Sequence, residues 1–419
     1  MAWFRDDKWT IQVAGFVCVS SIRTLNHMSK ELRSIVEHFD SIAEAGQTAV
    51  LATVIDVRGS SYRLPGARML IDGEGNTHGT VSGGCLEADL MVRAKRVRET
   101  AVAEVFVYDT SINDDSVFGL NMGCRGIVRI LLERAEPRLF EFLHRRLNSR
   151  LGGVIATVVS VELEPGKNLQ VGARLMIDER GSIGPLNAGN LDAELQAVLG
   201  QDCFAALENK FSSLTAYEFG EVFIEYIAPP VPLVVFGAGH DAVPLIRLAK
   251  ELGWHVTLVD HRPVVAEREA FFIADEIIIG RPEDVASRVT IDSETVAVLM
   301  THNYSLDLEL SEFLLRSPAL YVGMLGPRSR ADRLLQDLSR MGIGLTNQEV
   351  ERVYAPVGID IGAETPEEIA LSIIAEIRAV LGGRQGRMLR DRSGSIHGRV
   401  DNNGVVSVSE VAERSLIGS

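Results

Sequence analysis

Two thiols sit in glycine loops and are the groups in this sequence best placed to react. Cys85 lies in Ser82-Gly83-Gly84-Cys85-Leu86-Glu87, and Cys124 in Gly119-Leu120-Asn121-Met122-Gly123-Cys124-Arg125-Gly126. A thiol at a helix N-terminus favours the thiolate, which is a nucleophile, a redox group or a soft-metal ligand. Cys85 and Cys124 are therefore the candidate metal ligands. The glycines beside them leave backbone N–H groups open to an anion, so Ser82, Gly83, Gly84, Gly123 and Arg125 join the candidate binding residues. The plainer alternative for Cys85 is a small buried filler. Cys203, between apolar helix residues, reads as core, and Cys18 is given no role.

A second constellation follows further along. The apolar run Val234-Val235-Phe236 feeds Gly237-Ala238-Gly239-His240-Asp241-Ala242, then a helical pattern and a second apolar run, His255 to Val259. That run ends in Asp260, 23 residues after the first glycine. This is the order of a dinucleotide-binding βαβ unit. Gly237 permits the tight turn, Gly239 lets the backbone approach a pyrophosphate, and the acid reaches a ribose hydroxyl. His240 adjoins the turn. A later buried strand, Val296 to Met300, runs into Thr301-His302-Asn303-Tyr304, which places His302 and Asn303 beyond a strand end, where such folds bind ligands. His302 is open to three roles: general base, ligand contact or cap. Leu320 to Met324 leads to Gly326-Pro327-Arg328, a further glycine turn at a helix start, with Arg328 suited to a phosphate or carboxylate.

The elements that must hold these residues divide the chain. Residues 1–28 read as a leader, with Met28 an alternative start. An α/β domain then covers 29–228, a Rossmann-like parallel-sheet domain covers 229–382, and 383–419 is a Gly-, Ser- and Arg-rich tail expected to be disordered. The first domain contains a diverged duplication. Val50-Leu51-Ala52-Thr53-Val54 and Gly66-Ala67-Arg68-Met69-Leu70-Ile71-Asp72 recur as Val154-Ile155-Ala156-Thr157-Val158 and Gly172-Ala173-Arg174-Leu175-Met176-Ile177-Asp178. Each copy reads as a hairpin-like strand pair, a glycine loop, a helix and a closing strand. Only the first carries thiols; Asn190 stands where Cys85 does.

Composition narrows the function classes. With 46% hydrophobic and 24% charged residues the chain is globular, and a formal charge of −15 argues against nucleic acid or anionic membrane as partners. Four cysteines without Cys-x-x-Cys spacing point to a reducing cytoplasm, and the run Ile11 to Val19 is too short for a membrane span.

Gly59-Ser60-Ser61-Tyr62-Arg63-Leu64-Pro65-Gly66, Ser82-Gly83-Gly84-Cys85-Leu86-Glu87, Gly123-Cys124-Arg125-Gly126, Phe236-Gly237-Ala238-Gly239-His240, Thr301-His302-Asn303-Tyr304 and Pro356-Val357-Gly358-Ile359-Asp360-Ile361-Gly362-Ala363 occur in this order. Together they resemble the XdhC/CoxI family, over about residues 33–381. The resemblance implies an accessory protein that binds molybdopterin (molybdenum cofactor) and delivers it to an apo molybdenum hydroxylase such as xanthine dehydrogenase or carbon monoxide dehydrogenase. It also implies a sulfurtransferase that installs the terminal sulfide. In that role the pterin is held between the cysteine loops and the Rossmann face, with Cys85 and Cys124 contacting the metal end. Arg125 departs from the small residues expected in its loop. The alternatives are an NAD-dependent oxidoreductase, NAD(P) being the second candidate cofactor, and a redox-sensing or adaptor protein that uses Cys85 and Cys124 as a reversible dithiol. A homo-oligomer is expected.

Overall fold

The computed structural model describes residues 18–22, 30–59, 61–109, 126–162, 169–186 and 193–392. Two compact units emerge, one holding Glu31–Pro229 and the other Pro230–Arg392.

The first unit realises the duplication as two sheets of one topology. Strand β1 (Cys18–Ile22) precedes the first copy, which opens with helix α1 (Lys30–Glu44). That copy continues with β2 (Val50–Gly59), β3 (Arg68–Ile71), β4 (Thr77–Gly79), α2 (Glu87–Thr100), β5 (Glu104–Asp109) and β6 (Gly126–Arg134). The second begins with α3 (Pro137–Leu147) and continues with β7 (Gly153–Val158), β8 (Arg174–Asp178), β9 (Gly181–Leu186), α4 (Ala193–Asn209), β10 (Ser212–Tyr217) and β11 (Gly220–Ile227). Sheet orders are β4-β3-β2-β6-β5 and β9-β8-β7-β11-β10-β1, the same path twice with β1 added at one edge. The copies are larger than the repeated motifs suggested, with an opening helix, three strands before the second helix and two after it. Cys18–Ile22, read as leader, pairs antiparallel with β10.

Alternation along β2 explains the layers. Val50, Ala52 and Val54 pack with Leu90, Ala94 and Val97 of α2, while Ile55 turns to Leu131, Val159, Leu214 and Phe223 between the sheets. Helix α4 covers the other sheet through Leu199, Cys203 and Ala206. The result is a helix–sheet–sheet–helix stack. Polar pairs also cross between the copies: Arg68 Nη1 donates to Glu225 Oε1 at 2.8 Å, and Arg174 bonds Glu133. Arg68 and Arg174 are the repeated Gly-Ala-Arg arginines, and their partners lie on the matching strands β11 and β6, so the buried pairs obey the duplication. Burial pushes the Glu133 carboxyl up, against the pull of Arg174.

The second unit is a doubly wound sheet. Its strands are β12 (Pro232–Phe236), β13 (His255–Asp260), β14 (Glu276–Ile279), β15 (Val296–Leu299), β16 (Tyr321–Met324) and β17 (Val353–Tyr354). Its helices are α5 (Ala242–Glu251), α6 (Pro282–Arg288), α7 (Tyr304–Arg316), α8 (Arg328–Arg340), α9 (Asn347–Glu351) and α10 (Pro366–Leu381). All pairings are parallel, in the order β14-β13-β12-β15-β16-β17. Counted within the unit this is 3-2-1-4-5-6, the dinucleotide-fold order. Leu233 and Val235 face α5 and α10, whereas Val234 and Phe236 face α7 and α8. The expected fold class, a Rossmann-like domain after a duplicated α/β domain, is observed. No described helix is long and apolar enough to cross a membrane.

Candidate functional site

The strand registers gather the Cys85 turn and the two attachments of the β5–β6 loop at one end of the five-stranded sheet. Gly59 pairs with Gly126, Asp109 with Ile127, Thr53 with Arg68, and Met69 with Gly79. The loop after β2, the turn after β4 and both attachments of the β5–β6 loop therefore leave from the same edge. Gly123, Cys124 and Arg125 belong to that third loop and lie outside the described residues. In the second copy the equivalent hairpin, β10–β11, closes through Glu218 and Phe219 alone, so the Cys124 loop is an expansion particular to the first copy.

The turn bearing Cys85 is built around a carboxylate. Glu87, the first residue of α2, accepts from Ser82 N (2.8 Å), Leu86 N (3.1 Å), Thr80 Oγ1 (2.7 Å) and Ser82 Oγ. Ser82 Oγ in turn accepts from Gly84 N and Leu86 N. Burial alone would raise the Glu87 carboxyl. The bonds from Ser82 and Thr80 outweigh it and hold the group below its usual range. Two of the N–H groups expected to greet an anion are thus taken by the chain itself. Leu86 is the cap of α2, so Cys85 precedes the helix proper. Its thiol is free and half-buried. Gly84 has φ +107°, a conformation that favours glycine, and a Cβ there would meet open space.

Tyr62 completes this corner. A Cβ on Gly83 would lie 3.7 Å from its ring, yet 67% of Tyr62 is exposed. The next residue, Arg63, bonds Glu31 of α1, whose other oxygen accepts from Thr80 N at 3.0 Å. One glutamate thereby ties the Tyr62 loop to the Cys85 turn. Neither Tyr62 nor Glu31 was singled out from sequence, because the link spans α1, the first loop and the second. The exposed Tyr62 ring thus lies against Gly83, two residues before the half-buried Cys85. Among the described residues no cluster of three or more His, Cys, Asp or Glu is arranged to hold a metal ion. Cys203 is fully buried core, its thiol pushed up to about 12 by burial.

In the second unit the predicted residues meet where the strand order reverses, between β12 and β15. Gly237 has φ +105°, and a Cβ there would lie 2.6 Å from Met300 O, so only glycine lets the two strand ends approach. His302 has φ +56° and bends over Gly239, with Nε2 3.3 Å from Asp241 Oδ2. Asn303 caps α7, accepting from Ser305 N and Leu306 N, which commits its side-chain oxygen to the helix. Asp307 anchors the same loop, receiving Thr301 Oγ1 and Arg330 Nη2. Asp260 accepts from Ala238 N and from Arg262 through three donors, and those hydrogen bonds overcome burial to hold its carboxyl below the usual range. His240 and Arg328 are exposed, at the starts of α5 and α8.

Residues 42–109 match the family model described as "XdhC and CoxI family", and residues 233–377 match that of the "XdhC Rossmann domain". A Bacillus subtilis (strain 168) protein, named as a probable subunit of xanthine dehydrogenase, is 33% identical over 344 residues, 81% of this chain and 94% of that protein. The chain belongs to the XdhC and CoxI family. Two further comparisons agree. The crystal structure of a Bacillus halodurans protein described as a xanthine dehydrogenase superposes with a TM-score of 0.67 at 32% identity, over 84% of this chain and 97% of that one. The Escherichia coli (strain K12) "Molybdenum cofactor insertion chaperone PaoD" is 22% identical over 356 residues, 84% of this chain and 90% of that protein.

Proposed function

We propose that this chain is a maturation factor for a molybdenum hydroxylase, which holds the molybdenum cofactor and passes it to the apoenzyme. The observation that carries the reading is the corner formed by Cys85, Gly83, Gly84 and Tyr62, with the attachments of the Cys124 loop at the same sheet edge. The names of the Bacillus subtilis relative and of the Escherichia coli chaperone support it. Cys85 and Cys124 would hold the metal end. Tyr62 would stack on the planar ring system, a geometry worth about 1 kcal/mol beyond the area buried. In its client the cofactor supplies the redox metal. This chain contributes a braced turn that fixes a thiol in place, and no bond-making step is required of it. A sulfurtransferase and a second copy of the chain complete the proposed set of partners.

The Rossmann half enters this reading as a docking face for a phosphate-bearing ligand, through Gly237, Gly239, His240, His302 and Arg328. An NAD-dependent oxidoreductase is less well supported. Of its candidate proton donors, Tyr304 already gives its hydroxyl proton to Asp337. The test is what the purified chain carries. Oxidation to the fluorescent pterin should reveal bound molybdopterin, lost in Cys85→Ala. Tight NADH binding with no retained pterin would transfer the reading to the oxidoreductase.

A further inference from the structure

Asp260 stands where a dinucleotide fold places the acid that accepts ribose hydroxyls. A carboxylate offers about four lone-pair positions. All four are filled from within the chain. Oδ1 accepts from Arg262 N (2.8 Å) and Arg262 Nε (2.9 Å); Oδ2 accepts from Ala238 N (2.7 Å) and Arg262 Nη2 (2.8 Å). Arg262 Nη2 also reaches Ala238 O at 3.2 Å, so the guanidinium lies across the glycine turn. Only 2% of the Asp260 side chain is exposed, against 45% of Arg262.

We propose that Arg262 makes this crevice selective for a nucleotide bearing a phosphate on its ribose over the same nucleotide with a free diol. A diol finds no vacant acceptor on Asp260. To bind there it must displace a guanidinium held through two of its nitrogens and leave a buried carboxylate without its counter-charge. A phosphate needs no such displacement. Arg262 Nη1 has no hydrogen-bond partner among the described residues, and its two N–H groups are the donors left for phosphate oxygens, beside a fixed positive charge. Asp260 then acts as the anchor that aims the guanidinium. His261, with Nδ1 3.6 Å from Asp260 Oδ1 and about half exposed, adds a second basic group on the same turn. The selectivity is independent of cofactor binding at Cys85.

The experiment is a fluorescence titration of the full chain with NADPH and with NADH, repeated with 2′,5′-ADP and 5′-AMP as competitors. The expected result is at least tenfold tighter binding of NADPH, with 2′,5′-ADP the stronger competitor. Arg262→Ala should release Asp260 and reverse the order, NADH gaining and NADPH losing about tenfold each. Arg262→Lys keeps the charge without the fork and should fall between. Equal affinities in the wild type, a preference for NADH, an unchanged ratio in a folded Arg262→Ala, or no binding of either nucleotide would overturn the proposal.

Discussion

Replacing Glu87 by Ala removes the acceptor around which the Cys85 turn is organised. Ser82 N and Ser82 Oγ lose their acceptor, while Thr80 Oγ1 and Leu86 N lose one of two and keep Ser82 O and Ser82 Oγ. Hydrogen bonds to a charged group contribute roughly 1.5–3 kcal/mol. Ser82 Oγ still holds Gly84 N and Leu86 N, and the exposed side of the turn admits water to the freed donors, so the net loss should be near 2 kcal/mol. For a unit of this size that lowers Tm by about 4–8 °C. Thermal unfolding measures the loss, and mass spectrometry of timed alkylation measures the exposure of the Cys85 thiol. Alkylation should accelerate in Glu87→Ala, with Glu87→Gln in between, since the amide keeps one acceptor. A variant that unfolds within about 1 °C of wild type and alkylates at the wild-type rate would refute the brace.

Other consequences are as direct. Glu225→Ala strands Arg68 in the inter-sheet core and should cost about 3–5 kcal/mol; an Arg68→Met, Glu225→Leu double variant should recover most of that in chemical denaturation. Gly237→Ala meets both φ +105° and the Met300 carbonyl, and should destabilise the second unit by about 2–4 kcal/mol, read by thermal unfolding. Glu87 and Asp260 both have lowered carboxyl values, so their contributions are present above the ordinary carboxylate pKa of about 4 and vanish as pH falls through the lowered ones. Protection factors of the Ser82, Leu86 and Ala238 amides, taken against the intrinsic rate at each pH, should therefore hold down to about pH 4 and fall below it.

Much of the fold was legible because its signals are local. The strand, Gly237, Gly239 and Asp260 follow one another within a single βαβ, and the Gly-Ala-Arg segments repeat almost letter for letter. The partners of those arginines were not legible: Arg68 meets Glu225 across 157 residues of chain, and only the pairing of the two sheets brings them together. The crevice was read at the level of residues but not of occupancy. Asp260 looked available because the pattern marks an acid, while Arg262 two residues on consumes it. The cap of α7, offered from sequence to His302, belongs to Asn303, one residue before the helix starts at Tyr304. In the thiol turn the motif pointed to Cys85, yet Glu87 is the residue that shapes it, and Tyr62 gains meaning only once its ring is found against Gly83.

In the proposed role the Cys85 corner holds a molybdenum-bound pterin. The most direct test of that role is the molybdopterin content of the chain purified from cells that make the cofactor, assayed as the oxidised fluorescent pterin. Near-stoichiometric pterin in the wild type, abolished by Cys85→Ala and reduced severalfold by Tyr62→Ala in folded protein, is the predicted result. Pterin retained equally by wild type and both variants, or absent from all three, would contradict it.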